Sequence, residues 1–221
     1  MTLALWNIDH PAATSTRIIA IQRLILELGC DHVILTETNA ALNLPGYTVA
    51  LPAPSPFINR SRDYRPPNHY YQVGVYSRHG LHSPKKGSEV NGVYAEATTI
   101  PALHLYGSLF TIKDRWAAWS DRRYTDRVEE QCAAIRQWAG PRFIAGGDFN
   151  FRGQGSYNRI GRERLAQTVA DAALVWPTQQ EERTVQHLVH SSDLRTNRYQ
   201  LFTTGLSDHP VLVFELIPAQ K

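Results

Sequence analysis

Two mixed β-sheets packed face to face, with helices on the outside, is the α/β fold class this sequence predicts, and three observations carry it. Apolar and β-branched runs of strand length outnumber the amphipathic stretches of helix length. The chain opens in the order strand, helix, strand, which calls for a right-handed crossover between parallel neighbours. With 221 residues, 43% hydrophobic and 19% charged, it can bury a sizeable core without disulfides or a structural metal. One domain over residues 1–221 is the expected organisation.

Leu3-Ala4-Leu5-Trp6 is a buried-strand run that ends at polar Asn7 and breaks at Asp9-His10-Pro11. Ser15 or Thr16 caps a helix whose apolar residues Ile18, Ile21, Ile25 and Leu28 keep the 3–4 spacing, with Gly29 as its stop. His32 to Glu37 is the second strand. Parallel to the first, it brings Asn7 and Glu37 to the same rim of the sheet. Pro45 to Asn68 holds six of the 13 prolines, with Arg60, Arg62 and Arg65, and reads as a long surface loop of the kind that carries function. Strands follow at Gln72–Ser77, Val93–Ile100 and Leu103–Tyr106. A second helix is expected from Asp126 to Ala139, with Val128, Cys132 and Ile135 on one face and Gly140-Pro141 ending it. Phe143 to Gly147 is a strand that runs into Asp148-Phe149-Asn150. A third helix over Gly161–Leu174 and a strand over Thr184–His190 precede Ser207-Asp208-His209-Pro210 and a closing strand, Val211–Leu216.

Composition narrows the function classes. Two cysteines, Cys30 and Cys132, are too few for a disulfide framework or a zinc site, which points to a reducing compartment. Twenty-three Lys and Arg against 20 Asp and Glu give +3, which permits a local phosphate-binding patch without demanding one. The first residues lack a signal peptide's basic and apolar regions, and no 18-residue apolar run follows, so a cytoplasmic protein with no membrane partner is expected. No heptad pattern, repeat or low-complexity block suggests a coiled coil, a solenoid or disorder.

Polar islands stand where apolar strands end: Asn7, Glu37, Asp148 with Asn150, and Asp208 with His209. Singly, each is an ordinary turn or surface residue. Together they supply carboxylates, amides and an imidazole at the positions where α/β sheets place ligand sites. Hard oxygen donors of this kind select Mg²⁺ or Mn²⁺ and leave room for substrate phosphate. Metal-assisted phosphoester hydrolysis fits the set, with a carboxylate acting on water and amides or His209 binding phosphoryl oxygens.

Trp6-Asn7, Thr36-Glu37-Thr38, Gly146-Gly147-Asp148-Phe149-Asn150 and Leu206-Ser207-Asp208-His209-Pro210 resemble, in order, the signature of the endonuclease/exonuclease/phosphatase superfamily, the fold of pancreatic deoxyribonuclease. The resemblance implies a four-layered α/β sandwich, a divalent metal and phosphoester cleavage. It implies Glu37, Asn7 and Asp208 as metal ligands, Asp148 as the group that orients or activates water, Asn150 as a holder of phosphate or water, and His209 as phosphoryl binder or acid/base. Tyr106, or Ser108 beside it, falls near a mid-chain position that offers a His or Tyr in relatives. One departure stands out: where relatives carry an Asp that orients the catalytic histidine, Thr184-Val185-Gln186-His187 places Gln186, a neutral acceptor. Asp193 is a carboxylate that could replace it in space.

Lys113, Arg115, Arg122, Arg123 and Arg127 interleave with Trp116, Trp119 and Tyr124 as a nucleic-acid groove would, though Asp114, Asp121 and Asp126 dilute the charge. Arg115, Arg122 and Arg123 are the substrate-binding candidates. The expectation is an Mg²⁺- or Mn²⁺-dependent nuclease for DNA or RNA. The alternatives are a phosphatase of a small nucleotide, inositol or lipid phosphate, and a weakly active or inactive phosphate-binding module in which Gln186 has cost turnover.

Overall fold

A computed structural model describes the chain apart from residues 55–56, 59–63, 66–69, 83–90, 100, 112–120, 154–157 and 220–221, and apart from the side chains of Phe57, Ile58, Tyr64, Arg65, Asp121 and Arg123. The calls on Arg60, Arg62, Lys113, Arg115, Trp116 and Trp119, and on the side chains of Arg65 and Arg123, lie outside the described residues.

Along the chain run β1 (Thr2–Asn7), α1 (Thr16–Leu28), β2 (His32–Asn39), β3 (Thr48–Ala50), β4 (Phe57–Ile58), β5 (Tyr64–Arg65), β6 (Tyr70–Ser77), β7 (Leu81–His82), β8 (Gly92–Ala97) and β9 (Leu103–Leu109). They are followed by α2 (Asp121–Trp138), β10 (Phe143–Asp148), α3 (Arg159–Asp171), β11 (Leu174–Val175), β12 (Gln186–Ser191), β13 (Leu194–Phe202) and β14 (Val211–Pro218). The strands form two six-stranded sheets, in the orders β13-β14-β1-β2-β6-β3 and β11-β12-β10-β9-β8-β7, and a short β4-β5 pair. Both sheets are mixed. β1 runs parallel to β2 and antiparallel to β14, and β10 runs parallel to β9 and antiparallel to β12.

Face-to-face packing follows from the period-2 alternation of the strands. Leu3, Leu5, Ile34 and Val75 from the first sheet meet Leu103, Leu105, Ile144 and Leu188 from the second in one buried cluster. The opposite faces carry helices. α1 places Ile18, Ile21 and Ile25 against Ala4, Trp6 and Val33, while Val128, Cys132 and Ile135 of α2 and Leu165 of α3 cover Tyr106, Phe143 and Ala145. The arrangement is the helix-sheet-sheet-helix sandwich expected from the sequence.

Local chemistry explains the boundaries. Ser15 caps α1 by accepting from Ile18 N through Oγ, and Gly29 closes it at φ 62°, where its amide donates to Ile25 O. The two sheets come closest at glycines. A Cβ on Gly107 would lie 2.6 Å from Val73 Cγ2, so no side chain fits between the layers there.

Several expectations shift. α2 begins at Asp121, five residues before the expected Asp126, and α3 ends at Asp171. The stretch read as a loop after Pro45 contains β3 and the β4-β5 pair. β13 was not expected. Its sequence, Leu-Arg-Thr-Asn-Arg-Tyr-Gln-Leu-Phe, is polar because it is an edge strand paired to β14 alone, with a register shift between Thr196 and Arg198 that blurs the alternation.

Candidate active site at the rim of both sheets

Asn7, Glu37, Asp148 and Gln186 stand at or near strand ends, and the pairing register brings them to one end of the sandwich. Asn7 pairs with Thr36, the neighbour of Glu37, and Asp148 lies between Leu109 and Gln186 in the second sheet. A side-chain hydrogen bond bridges the sheets there: Asn7 Nδ2 donates to Asp148 Oδ2 at 2.8 Å, both groups buried.

The backbone around these residues is held in costly conformations. Asp9, His10, Glu37 and Asn150 all have left-handed φ, between 41° and 54°, which side-chain-bearing residues seldom adopt. Each is secured by named bonds. Asp9 N donates to Asn7 Oδ1 at 2.9 Å and His10 N to Glu37 O at 2.8 Å. Asn150 N donates to Asp148 Oδ1 at 2.8 Å, and Asn150 Nδ2 to Phe110 O at 2.7 Å. Gly147, immediately before Asp148, sits at φ 146°, and a Cβ on it would lie 2.0 Å from Ser108 O, so only glycine serves.

Electrostatics divides the two carboxylates. Complete burial pushes Asp148 up to about 6, against the lowering effects of His209 and of the Asn7 and Asn150 donors. For Glu37 burial also works upward. The His10 hydrogen bond and charge, the Asn7 amide and His209 outweigh it, and the carboxyl is held below its usual range. His10 Nδ1 lies 2.9 Å from Glu37 Oε2. The His209 imidazole favours the charged form of both carboxylates.

The loop that carries His209 is fastened to β1. Ser207 Oγ donates to Asn7 O at 2.8 Å and accepts from His209 N at 3.1 Å, while Trp6 Nε1 donates to His209 O at 3.2 Å. Asp208 is 76% exposed and reaches its own neighbours, with Oδ1 3.4 Å from Ser207 Oγ and 3.5 Å from His209 Nε2. Gln186 Nε2 donates to Pro210 O at 2.6 Å, and its buried Oε1 has no hydrogen-bond partner among the described residues.

Two sequence candidates lie elsewhere. Tyr106 is buried beneath α2 with Tyr94, Phe143 and Ala145, on the helix side of its sheet, because β9 alternates and Leu105 and Gly107 take the inner face. Asp193 accepts from Arg142 N and Ser191 Oγ in the turn between β12 and β13, at the far end of β12 from Gln186, so it does not replace a carboxylate beside His209. Arg122 is exposed on the first turn of α2.

Sequence reasoning missed Asp9 and His10, read only as a turn. Ligand atoms of Asp9, His10 and Glu37 lie within 4.8 Å of one another. Their signal was the spacing Asn7-x-Asp9-His10 directly after a strand end. It also missed His187, the residue after Gln186. His187 is buried with its Nε2 2.9 Å from Phe151 O and its Nδ1 3.1 Å from Thr178 O, and it fixes the loop that follows Asp148. Burial pushes that imidazole down to about 4, so it is neutral in ordinary buffers.

The chain matches the Endonuclease/Exonuclease/phosphatase family over residues 4–209 and belongs to it. None of the curated protein sequences matches it. Solved structures that share the fold include the endonuclease domain of a telomere-specific non-LTR retrotransposon, at 17% identity and TM-score 0.66, covering 100% of this chain and 99% of that one. A 3′-5′ exonuclease from Neisseria meningitidis is 12% identical with TM-score 0.67, covering 97% and 99%. A mannosyl-6-phosphatase from Bacteroides thetaiotaomicron is 13% identical with TM-score 0.65, covering 98% and 99%. Among the described residues no helix is long and apolar enough to cross a membrane.

Proposed function

We propose that the protein is a divalent-metal-dependent phosphoester hydrolase whose first substrate class is the phosphodiester of DNA or RNA. The observation that carries this reading is the pair of carboxylates, Glu37 and Asp148, brought to one rim from the two sheets and linked through the Asn7 amide, with one shifted down and the other up. Family membership supports the reaction class, and nucleases that share the fold support the substrate class.

The donor set fits a hard cation. Glu37, with Asp9 and His10 beside it and Asn7 Oδ1 on the Asp9 amide, would hold Mg²⁺ or Mn²⁺, and Asp208, exposed on the His209 loop, is the further carboxylate proposed as a ligand. When bound, such an ion neutralises charge on the phosphoryl oxygens and the leaving oxygen. Asp148, raised by burial, accepts a proton from the attacking water and is steadied by the Asn7 and Asn150 donors. His209, set by Trp6 and Ser207, donates to a phosphoryl oxygen as charge develops. Asn150, pinned by Phe110 O, presents its amide to the phosphate or water. Gln186 holds the His209 loop through Pro210 O and acts through it. Arg122, with Arg115 and Arg123, would meet the flanking phosphates.

The test is hydrolysis of single- and double-stranded DNA, RNA, a generic phosphodiester and a sugar phosphate by wild type and His209→Ala, with Mg²⁺, Mn²⁺ or EDTA. Cleavage that needs metal and disappears in the variant supports the reading, and the preferred substrate ranks the classes. Turnover of the sugar phosphate alone transfers the proposal to a phosphatase, and no turnover of any substrate removes it.

A further inference from the structure

Arg17 lies in the first turn of α1, two residues after its cap and outside the group assigned to chemistry above. Its guanidinium reaches back across the end of β1. Nη2 donates to Asp9 O at 2.5 Å, and Nη1 lies 3.2 Å from both Asp9 Oδ2 and Leu206 O. Three acceptors on two loops, 197 residues apart in sequence from Asp9 to Leu206, are thus gathered on one planar fork.

The two loops are those that flank the proposed reacting centre. One carries Asp9 and His10, both in left-handed backbone, with His10 on Glu37. The other runs from Gly205, itself at φ 72°, through Ser207 to His209. Strained residues persist only where the surroundings over-determine them. Asn7 Oδ1 and Glu37 O hold the amides of the first loop, and Arg17 holds the carbonyl and carboxylate of its Asp9. With its side chain 32% exposed, the ion pair to Asp9 contributes little to global stability, so its effect is on geometry.

We propose that Arg17 is a positioning residue that fixes the spacing between the Asp9–His10 loop and the Leu206–His209 loop, and so between Glu37 and His209. The functional half of this inference rests on the hydrolase reading; the structural half does not. A guanidinium is needed rather than a charge, because a lysine ammonium is a single compact donor centre and loses the fork.

Arg17→Met keeps the aliphatic stem, and Arg17→Lys keeps the charge. In metal-free protein, amide hydrogen exchange at His10 and at His209 is expected to quicken by about fivefold or more in Arg17→Met, while Leu5 and Ile34 in the sheet stay protected. With metal and substrate, kcat is expected to fall about tenfold with KM nearly unchanged and the melting temperature within a few degrees, and Arg17→Lys, which keeps the charge without the fork, is expected to recover little of the rate. Unchanged exchange in either loop overturns the clamp. Quickened exchange in a protein without any hydrolase activity upholds the clamp and removes the hydrolase reading. An active wild type whose Arg17→Met variant matches it in kcat overturns the positioning role alone.

Discussion

Glu37, two residues before the end of β2, and Asp148, at the end of β10, are carboxylates on opposite sheets that share a rim, an amide neighbour in Asn7 and the influence of the His209 imidazole. Their surroundings nonetheless drive them apart. Glu37 keeps a side chain 26% exposed and gains His10 as a partner, which holds it ionised. Asp148 is sealed beneath the rim, and its two donors do not offset the loss of water. A charge-holding group and a proton-accepting group therefore arise from similar chemistry through a difference in burial and through the His10 partner that only Glu37 has.

The largest expected effect comes from removing either member. Glu37→Gln and Asp148→Ala should each lower metal-dependent hydrolysis by about 10³-fold or more, with circular dichroism showing the sheets intact. Near wild-type turnover in either variant would break the pairing of roles. Next comes the imidazole that acts on both: His209→Ala should cost about 10²- to 10³-fold in kcat with a smaller change in KM, measured on the best substrate. A larger loss in KM than in kcat would reassign His209 to binding.

A smaller effect sharpens the Asp148 side. Gln186→Leu removes the bond to Pro210 O and should lower kcat about tenfold, as loss of a supporting hydrogen bond commonly does. If the rate holds while the melting temperature falls, Gln186 serves the fold and not the His209 loop. The smallest effect is on stability against pH in EDTA. Asp148 is raised, so its contribution is whole below the unfolded value of 3.8 and is lost as pH rises through about 6. Glu37 is lowered, so its contribution is present above 4.5 and is lost as pH falls toward its folded value. Urea melts from pH 4 to 8 should therefore show a decline from about pH 4 to 6, level above it, that flattens in Asp148→Ala. The same decline in the variant would mean that another group causes it.

What could be read from the sequence follows the strength of local signals. α1 emerges with its cap and its Gly29 stop because side-chain capping and left-handed glycine are short-range effects. Asn7 and Glu37 share a rim because parallel strands leave no other arrangement. β13 stayed hidden because a polar edge strand has weak periodicity, and the early start of α2 because Asp121 to Thr125 carry no apolar stripe. At the site, carboxylate identity was legible but burial was not. Nothing in the residues around Asp148 states that it would be sealed while Glu37 stays open, since that depends on how two sheets meet. Tyr106 was misplaced for the same reason: its neighbours settle which face it takes.

Asn7 and His209 stand near opposite ends of the chain, yet Ser207 Oγ bonds to Asn7 O across 200 residues of sequence and Trp6 Nε1 to His209 O across 203. β14, which follows His209 directly, lies beside β1 in the middle of its sheet. During synthesis β1 has β2 at one side early but lacks its other neighbour until β14 has been made, so a chain stopped before β14 holds no complete candidate site. Such long-range closure gives a high contact order and slow folding. The rim that gathers Asn7, Glu37, Asp148 and the His209 loop is therefore completed only when β14 has docked beside β1.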